Sequence, residues 1–356
     1  MITIGVDPHK RVNEAFAIDE HGLEISRWRG VNDAGGWVAV EGWASQLGTE
    51  RQFGIEGAGG LGRGLAQHLV SDQQLVYEVN PRWTAMVRVR ARRTDKSDRL
   101  DARAVALFVR QEAPDLPKVG CEDETVALDV LTSERDSAVG EATRLRNQIH
   151  ALLQQLDPHY GDLVPSMKTP SGVERLKAFE VAVDVGAAQQ ARAGSVRRLA
   201  LRLELALSQA RELGEQIKAL AAIHFTPLTE ICGVNFLTAG ALAGILGPGQ
   251  RFSTDAELAK FAGVAPIEAS SAERVRHRLN RGGNRRLNAI LYRIVLTQSR
   301  HSIQARAYLD RRMSEGRTRK EAVRALKRYV VRAIFRLWTQ CVGHAPGRPT
   351  PRSSCA

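Results

Sequence analysis

Three short apolar strands follow one another before the first helix of this chain, and that order limits the fold more than any single residue does. Ile2–Val6, Glu14–Asp19 and Leu23–Trp28 read as strands, the last two separated by the turn Glu20-His21-Gly22. Consecutive strands joined by short turns pair most simply as an antiparallel meander. Trp37–Leu47 then reads as a helix, Gln52–Ile55 as a strand ended by Glu56, Leu61–Val70 as a helix, and Gln74–Val79 as a strand closed by Asn80-Pro81. A meander that runs on into βα units makes a mixed sheet, so residues 1–115 are expected to form an α/β domain.

That order is the order of the RNase H-like fold, in which the first and fourth strands lie side by side. Asp7 ends the first strand and Glu56 ends the fourth, so the two carboxylates become neighbours. Asp98 and Asp101 sit three residues apart at the start of the apolar-periodic run Leu100, Ala104, Val105, Leu107, Phe108. On a helix that spacing sets both acids on one face. Four carboxylates from two strand ends and one helix face suit a pair of hard divalent cations, Mg2+ or Mn2+, which take oxygen ligands and clamp a phosphodiester for displacement. Taken alone, the mixed charges from Arg92 to Arg103 read as a solvated helix face. Asp7 and Glu56, each closing a strand, put the metal reading ahead. His9 beside the first acid reads either as a packed or solvated histidine or as a proton shuttle. The glycines from Gly57 to Gly64 lack the Lys-Ser/Thr of a P-loop and leave turn chemistry and close backbone approach equally open.

Charge adds a partner class. Lys plus Arg number 51 against 39 acids, a net charge of +12, and most of the excess is arginine. The planar fork of arginine binds two phosphate oxygens at once, so nucleic acid is the expected polyanion. No stretch approaches the ~18 apolar residues of a membrane span. The amino terminus enters a strand without a signal-peptide pattern. Cys121, Cys232, Cys341 and Cys355 show no paired spacing, which argues against disulfides and zinc and for a reducing cytoplasm.

Ala113–Gly120 reads as a linker, after which the character turns helical. Ala138, Ala142, Leu145, Ile149, Leu152 and Leu156 alternate steps of four and three, as do Leu199, Leu203, Ala206, Ala210, Leu213, Ile217 and Leu220. The pattern predicts a coiled coil over residues 122–224, as an antiparallel hairpin or between chains, with Pro158–Ser195 forming the turn. Residues 225–342 read as a mostly helical third region and 343–356 as a disordered tail. Within the third, Ile231–Gly247 reads as a turn opening an apolar helix, reminiscent of a helix-hairpin-helix unit. Its Ala239, Gly240, Ala243 and Gly244 allow close approach by another helix. Helices are also expected over Thr254–Ala262, Leu287–Arg300, Ser302–Glu315 and Arg319–Cys341.

The densest positive charge comprises Arg274, Arg276, Arg278, Arg281, Arg285 and Arg286, with a Gly-Gly turn inside, and points to a phosphate backbone. Just before it, Ser270-x-x-Glu273 fits a capping box. The other reading is a nucleophile, a serine hydroxyl attacking a phosphate that neighbouring arginines help to stabilise.

Gly5-Val-Asp7-Pro-His-Lys10, Ile55-Glu56-Gly-Ala-Gly59, Asp95-Lys-Ser-Asp98-Arg-Leu-Asp101-Ala-Arg-Ala, Phe261-Ala-Gly-Val-Ala-Pro266 and Arg281-Gly-Gly-Asn-Arg-Arg-Leu287 occur in that order. Together they resemble the insertion-sequence-110 family of transposases, the DEDD group that includes the Piv-type DNA invertases. The resemblance implies a RuvC-like amino-terminal domain, a coiled coil and a carboxy-terminal transposase domain. It assigns the four acids to Asp7, Glu56, Asp98 and Asp101, and a catalytic serine to Ser271, followed here by Ala272 where the family usually has glycine. It implies a DNA recombinase that mobilises its own element or inverts a segment, working in a bacterial, nucleoid-associated setting. It further implies a phosphoserine link to DNA, a metal site completed between subunits of a dimer or tetramer, and a structured noncoding RNA that pairs with donor and target DNA. Two other readings fit the residues: a metal-dependent junction nuclease without a covalent intermediate, and a non-enzymatic nucleic-acid-binding protein.

Overall fold

The computed structural model describes residues 1–81, 98–164, 166–182, 184–248, 251–265, 267–268, 277–278 and 283–343; of 98–100, 115, 267–268, 277–278 and 343 it describes the backbone alone. The chain forms two compact units, Met1–Asp123 with Pro248–Glu257, and Glu124–Gly247 with Leu258–Ala356.

The first unit is built on one five-stranded sheet. Its strands are β1 (Ile2–Pro8), β2 (Val12–Ile18), β3 (Glu24–Val31), β4 (Arg51–Glu56) and β5 (Leu75–Val79), in the order β3-β2-β1-β4-β5. β1 pairs antiparallel with β2 and parallel with β4, and β5 extends the parallel side. The meander and the adjacency of first and fourth strands are therefore as the sequence predicts. Helices α1 (Ala34–Leu47) and α2 (Arg63–Ser71) cover one face, and α3 (Asp98–Glu112) covers the other. The pleat decides which residues meet which helix. Ile4, Val6, Phe53 and Ile55 pack with Val40, Ala44, Leu65 and Leu69 of α1 and α2. Phe16 and Ile18 pack with Ala102 and Ala106 of α3, and Tyr77 and Val79 with Val105 and Val109.

Two glycines set how closely α3 lies on the sheet. A Cβ on Gly5 would stand 2.2 Å from the Ala102 carbonyl oxygen and 2.3 Å from the Ala106 nitrogen, so helix backbone rests on strand backbone. A Cβ on Gly54 would stand 2.3 Å from Cγ2 of Val109. The cluster Gly57–Gly64 is explained by turns and packing. Gly57 has φ +62°, which favours glycine, and turns the chain directly after Glu56. A Cβ on Gly62 would crowd Ile55 and Pro8.

The expected linker Ala113–Gly120 is instead stitched to the sheet. Glu78 N donates to the Pro117 carbonyl at 2.9 Å and Val119 N to the Val76 carbonyl at 2.8 Å. The proline and glycine that signal a break in sequence here steer the chain along the edge of β5, where open backbone groups await partners.

The second unit is helical. α4 (Glu124–Leu156) and α7 (Ala187–His224) pack along each other, with α5 (Tyr160–Leu163) and α6 (Pro170–Lys177) in the turn between them. Arg192 bonds Gln155 and Arg202 bonds Glu141, so the pair runs antiparallel as a hairpin within the chain. The middle of the expected heptad stripe is buried, Ala138, Ala142, Leu145 and Ile149 on α4 and Leu203, Ala206, Ala210, Leu213 and Ile217 on α7, and the burial leaves the strict repeat only at its ends. On α7 the buried positions run Val196, Ala200, Leu203, Ala206, Ala210, Leu213, Ile217, Ala221, displacing Leu199 and Leu220 from the ends of the expected stripe. A straight helix turns every 3.6 residues and drifts off a 3.5-residue repeat within a few turns.

α8 (Phe236–Leu246) packs into this hairpin on its small residues. A Cβ on Gly240 would stand 2.4 Å from Ile217 Cγ2, and one on Gly244 would stand 2.6 Å from the Asp129 nitrogen. α9 (Asp255–Phe261) follows, and α10 (Arg285–His301), α11 (Ile303–Ser314) and α12 (Arg319–Gly343) complete the chain. Phe225 stacks on Trp338, ring centroids 5.6 Å apart, joining the end of α7 to α12. Among the described residues no helix is long and apolar enough to cross a membrane.

Candidate functional site

The β1–β4 ladder ends at the pair Val6 with Ile55, and Asp7 and Glu56 each follow it by one residue. Side chains two apart on a strand share a face. Asp7 therefore lies on the face of Gly5, and Glu56 on that of Gly54, the two glycines against which α3 rests. Asp101 directly precedes Ala102, the residue seated over Gly5. Three of the expected acids are thus gathered at the carboxyl ends of β1 and β4 beneath the start of α3. Asp7 and Asp101 are only 8% and 6% exposed and Glu56 is half-buried, so these carboxylates belong to the packed structure rather than to a solvated face. Asp98 opens α3 one turn earlier, with its backbone alone described.

Two neighbours shape the charge around this group. His9 Nε2 lies 3.4 Å from Asp7 Oδ2. Glu14 stands opposite Asp7 across the β1–β2 ladder, where its carboxylate accepts from Arg29 Nε at 2.9 Å. Glu14 is an acid beside the site that the strand pattern alone did not single out. The signal was available, since an acid in β2 paired with the acid of β1 must share its face. Carboxylate oxygens are the hard donors that Mg2+ and Mn2+ prefer, but among the described residues those of Asp7, Glu56 and Asp101 do not all come within 4.8 Å of one another.

A second group lies on the opposite face of the sheet and was missed. Glu41 of α1, His68 of α2 and Asp72 bring one ligand atom each within 4.8 Å of one another. His68 Nε2 is 3.0 Å from Glu41 Oε2 and 3.7 Å from Asp72 Oδ2. The His68-to-Asp72 step of four marks two of its three members in sequence, but Glu41 comes from another helix. Burial, followed by the hydrogen bond with Asp72, raises the Glu41 pKa above its ordinary value. A carboxyl raised on folding binds its proton more tightly in the native state, so stability falls as pH climbs from the unfolded to the folded pKa. Glu41→Gln is expected to remove that fall and to gain at most about 1 kcal/mol at neutral pH. Thermal melts at pH 5 and pH 8 measure it; an unchanged pH dependence would count against the buried proton.

The carboxy-terminal candidates divide. Ser270, Ser271, Arg274, Arg276 and Arg281 lie outside the described residues. Ile267 and Glu268 pair antiparallel with Arg278 and His277. A Cβ on Gly283 would stand 2.3 Å from Gly263 Cα, and Asn284 N donates to the Phe261 carbonyl at 2.7 Å, so these residues, distant in sequence, meet backbone to backbone. Arg285 is exposed. Arg286, half-buried, is committed to α4: it bonds Asp129 at 3.1 Å, Ser133 at 3.0 Å and Thr132 at 3.2 Å, and lies 3.4 Å from Asp136.

Comparison with known proteins gives the family. Residues 4–158 match a transposase model of the DEDD type for IS110, and residues 226–310 match the model described as transposase IS116/IS110/IS902 family. The chain is 30% identical over 284 residues, 67% of its length and 70% of the relative, to "Insertion element IS110 uncharacterized 43.6 kDa protein" of Streptomyces coelicolor. It is 25% identical to "Insertion element IS900 uncharacterized 42 kDa protein" of Mycobacterium paratuberculosis, over 99% of its own length and 98% of that protein. The class is that of DEDD transposases, enzymes that act on DNA. Within it, this chain belongs to the IS110 family.

Proposed function

We propose that this transposase exchanges DNA strands by phosphoryl transfer assisted by Mg2+ or Mn2+, with Asp7, Glu56, Asp98 and Asp101 as the metal ligands and Ser271 as the nucleophile. The observation that carries the metal part is the gathering of Asp7, Glu56 and Asp101 beneath α3, two of them buried. Bound there, the metal would supply positive charge against the phosphate oxygens. The carboxylates fix its position, and the close seat of α3 on Gly5 holds them in register. Water is restricted where Asp7 and Asp101 are buried, which strengthens every charge interaction nearby.

The serine part rests on sequence position, in the matched segment between Pro266 and Arg281. Its Oγ would form a bond to phosphorus as the bond from phosphorus to a deoxyribose oxygen breaks, and the serine proton would end on the departing hydroxyl. Reversal with a different strand end would complete exchange. Arg274, Arg276, Arg278, Arg281 and the exposed Arg285 are the candidates for holding the phosphate backbone, and Arg286 would act by bracing the start of α10 against α4. The same reading gives the protein donor and target DNA as substrates and a structured noncoding RNA as guide. It also makes a homo-oligomer, dimer or tetramer, the working form, with residues 1–115 as a RuvC-like domain and 225–342 as the serine-bearing one.

The test mixes protein, RNA from the flanking element, Mg2+ and DNA, and then denatures. A protein–DNA adduct should form, disappear in Ser271→Ala and persist in Ser270→Ala. Cleavage without any adduct, indifferent to both serine changes, would remove the serine and leave metal-only phosphoryl transfer at the acids.

A further inference from the structure

Within the helical unit, α4, α10 and the turn before α8 enclose a cavity of about 300 Å3. We propose that it is a binding site for a phosphodiester of a nucleic-acid strand, built from residues other than the four acids and Ser271. The proposal rests on the reading that this chain acts on nucleic acid, and it adds a docking point that no part of that reading requires.

The lining carries more positive charge than its one acid balances. Arg135, Arg286 and Arg293 line it together with Asp136. Arg286 faces both Asp129 and Asp136, so the three arginines set against these two acids leave one positive charge in excess. No ion pair is formed by Arg135 or Arg293 among the described residues. A guanidinium without a carboxylate partner attracts an anion, and its planar fork donates to two phosphate oxygens at once.

The rest of the wall fits the same ligand. Gly233, with φ +91°, makes the turn into α8, and a Cβ there would stand 3.1 Å from Thr297 Cβ and 3.2 Å from the Ile294 carbonyl oxygen. Gln298 Nε2 donates to the Cys232 carbonyl at 3.0 Å and ties that turn to α10. Asn235 caps α8, accepting from Thr238 N at 2.9 Å, so the positive end of an eleven-residue helix borders the cavity. Leu237 and Ile290 give part of the wall an apolar surface, against which a sugar edge packs. Charge on one side and carbon on the other is the profile of a backbone nucleotide, and is poorly suited to a wholly apolar ligand or to a bare cation.

The decisive measurement is the salt dependence of binding by the full chain carrying Asp7→Asn, so that no strand is cut. Fluorescence anisotropy follows a labelled DNA duplex, a labelled DNA single strand and a labelled RNA hairpin across a KCl series. Arg135→Gln with Arg293→Gln should weaken whichever strand uses the cavity by roughly ten-fold, and lower the slope of log K against log salt by about 0.9 for one duplex phosphate or about 0.7 for a single strand. The arm that responds identifies the strand. Arg293 is exposed, so Arg293→Glu alone keeps the test valid where the double change harms folding; it should move affinity in the same direction. Unchanged affinity and slope in all three arms, with wild-type binding intact, would overturn the cavity and spare the transposase reading. Absence of binding by the parent protein to any of them would overturn both.

Discussion

Asp7→Asn is expected to lower strand exchange by about a hundred- to a thousand-fold or more while leaving the fold intact, because it removes a charged ligand and almost no volume. Asp7 is buried and paired through its backbone with Glu14 in the β1–β2 ladder, on the face of the sheet that α3 covers. The amide keeps that volume and that ladder, so without a cation the variant should melt near the wild-type temperature. Mg2+ should separate the two. A cation bound only by the folded state stabilises it by RT ln(1 + [L]/Kd), a gain available to wild type and largely lost in the variant. The measurement is therefore paired: exchange of labelled DNA, and melting with and without Mg2+. Full exchange in Asp7→Asn, or an equal Mg2+-dependent rise in both proteins, would remove Asp7 from the metal site. A variant that is merely unfolded would show itself in the melt without Mg2+.

Asp7 and Glu56 were legible as strand ends because strand alternation is short-range and element order alone makes β1 and β4 neighbours. What the sequence did not disclose is how α3 is seated. Gly5 and Gly54 look like ordinary strand glycines until α3 is placed over them. Glu41 escaped notice for a related reason: its partners His68 and Asp72 come from another helix, and only tertiary packing joins them. The long helices were legible as periodic runs, and the small residues of α8 were read correctly as a close-approach face. Their exact buried stripe was not, since the difference between 3.5 and 3.6 residues per turn accumulates along a helix the length of α7. The edge pairing of Pro117 and Val119 was hidden for the opposite reason, because its local signals, Pro and Gly, are those of a loop.

Gly5→Ala tests the seat of α3 directly and should be the most damaging single-methyl change in the first unit. The added Cβ would meet the Ala102 carbonyl oxygen at 2.2 Å and the Ala106 nitrogen at 2.3 Å, both backbone atoms that no rotamer change relieves. Relief requires the helix to lift from the sheet, at a cost of about 2–3 kcal/mol. Gly54→Ala makes the same change on the neighbouring strand, but its Cβ meets the buried Val109 and Val105 side chains rather than backbone, so its cost should be somewhat smaller, about 1–2 kcal/mol. The two variants also separate stability from function. Lifting α3 carries Asp101, next to Ala102, away from Asp7, and a displacement near 1 Å costs on the order of a hundred-fold in rate. Gly5→Ala should thus lose exchange even at temperatures where it is folded, and Gly54→Ala should keep more of it. Denaturant melts and exchange assays on both decide the matter. Equal stabilities, or normal exchange by Gly5→Ala, would mean that α3 does not press on β1 and that the carboxylates are held in register by something else.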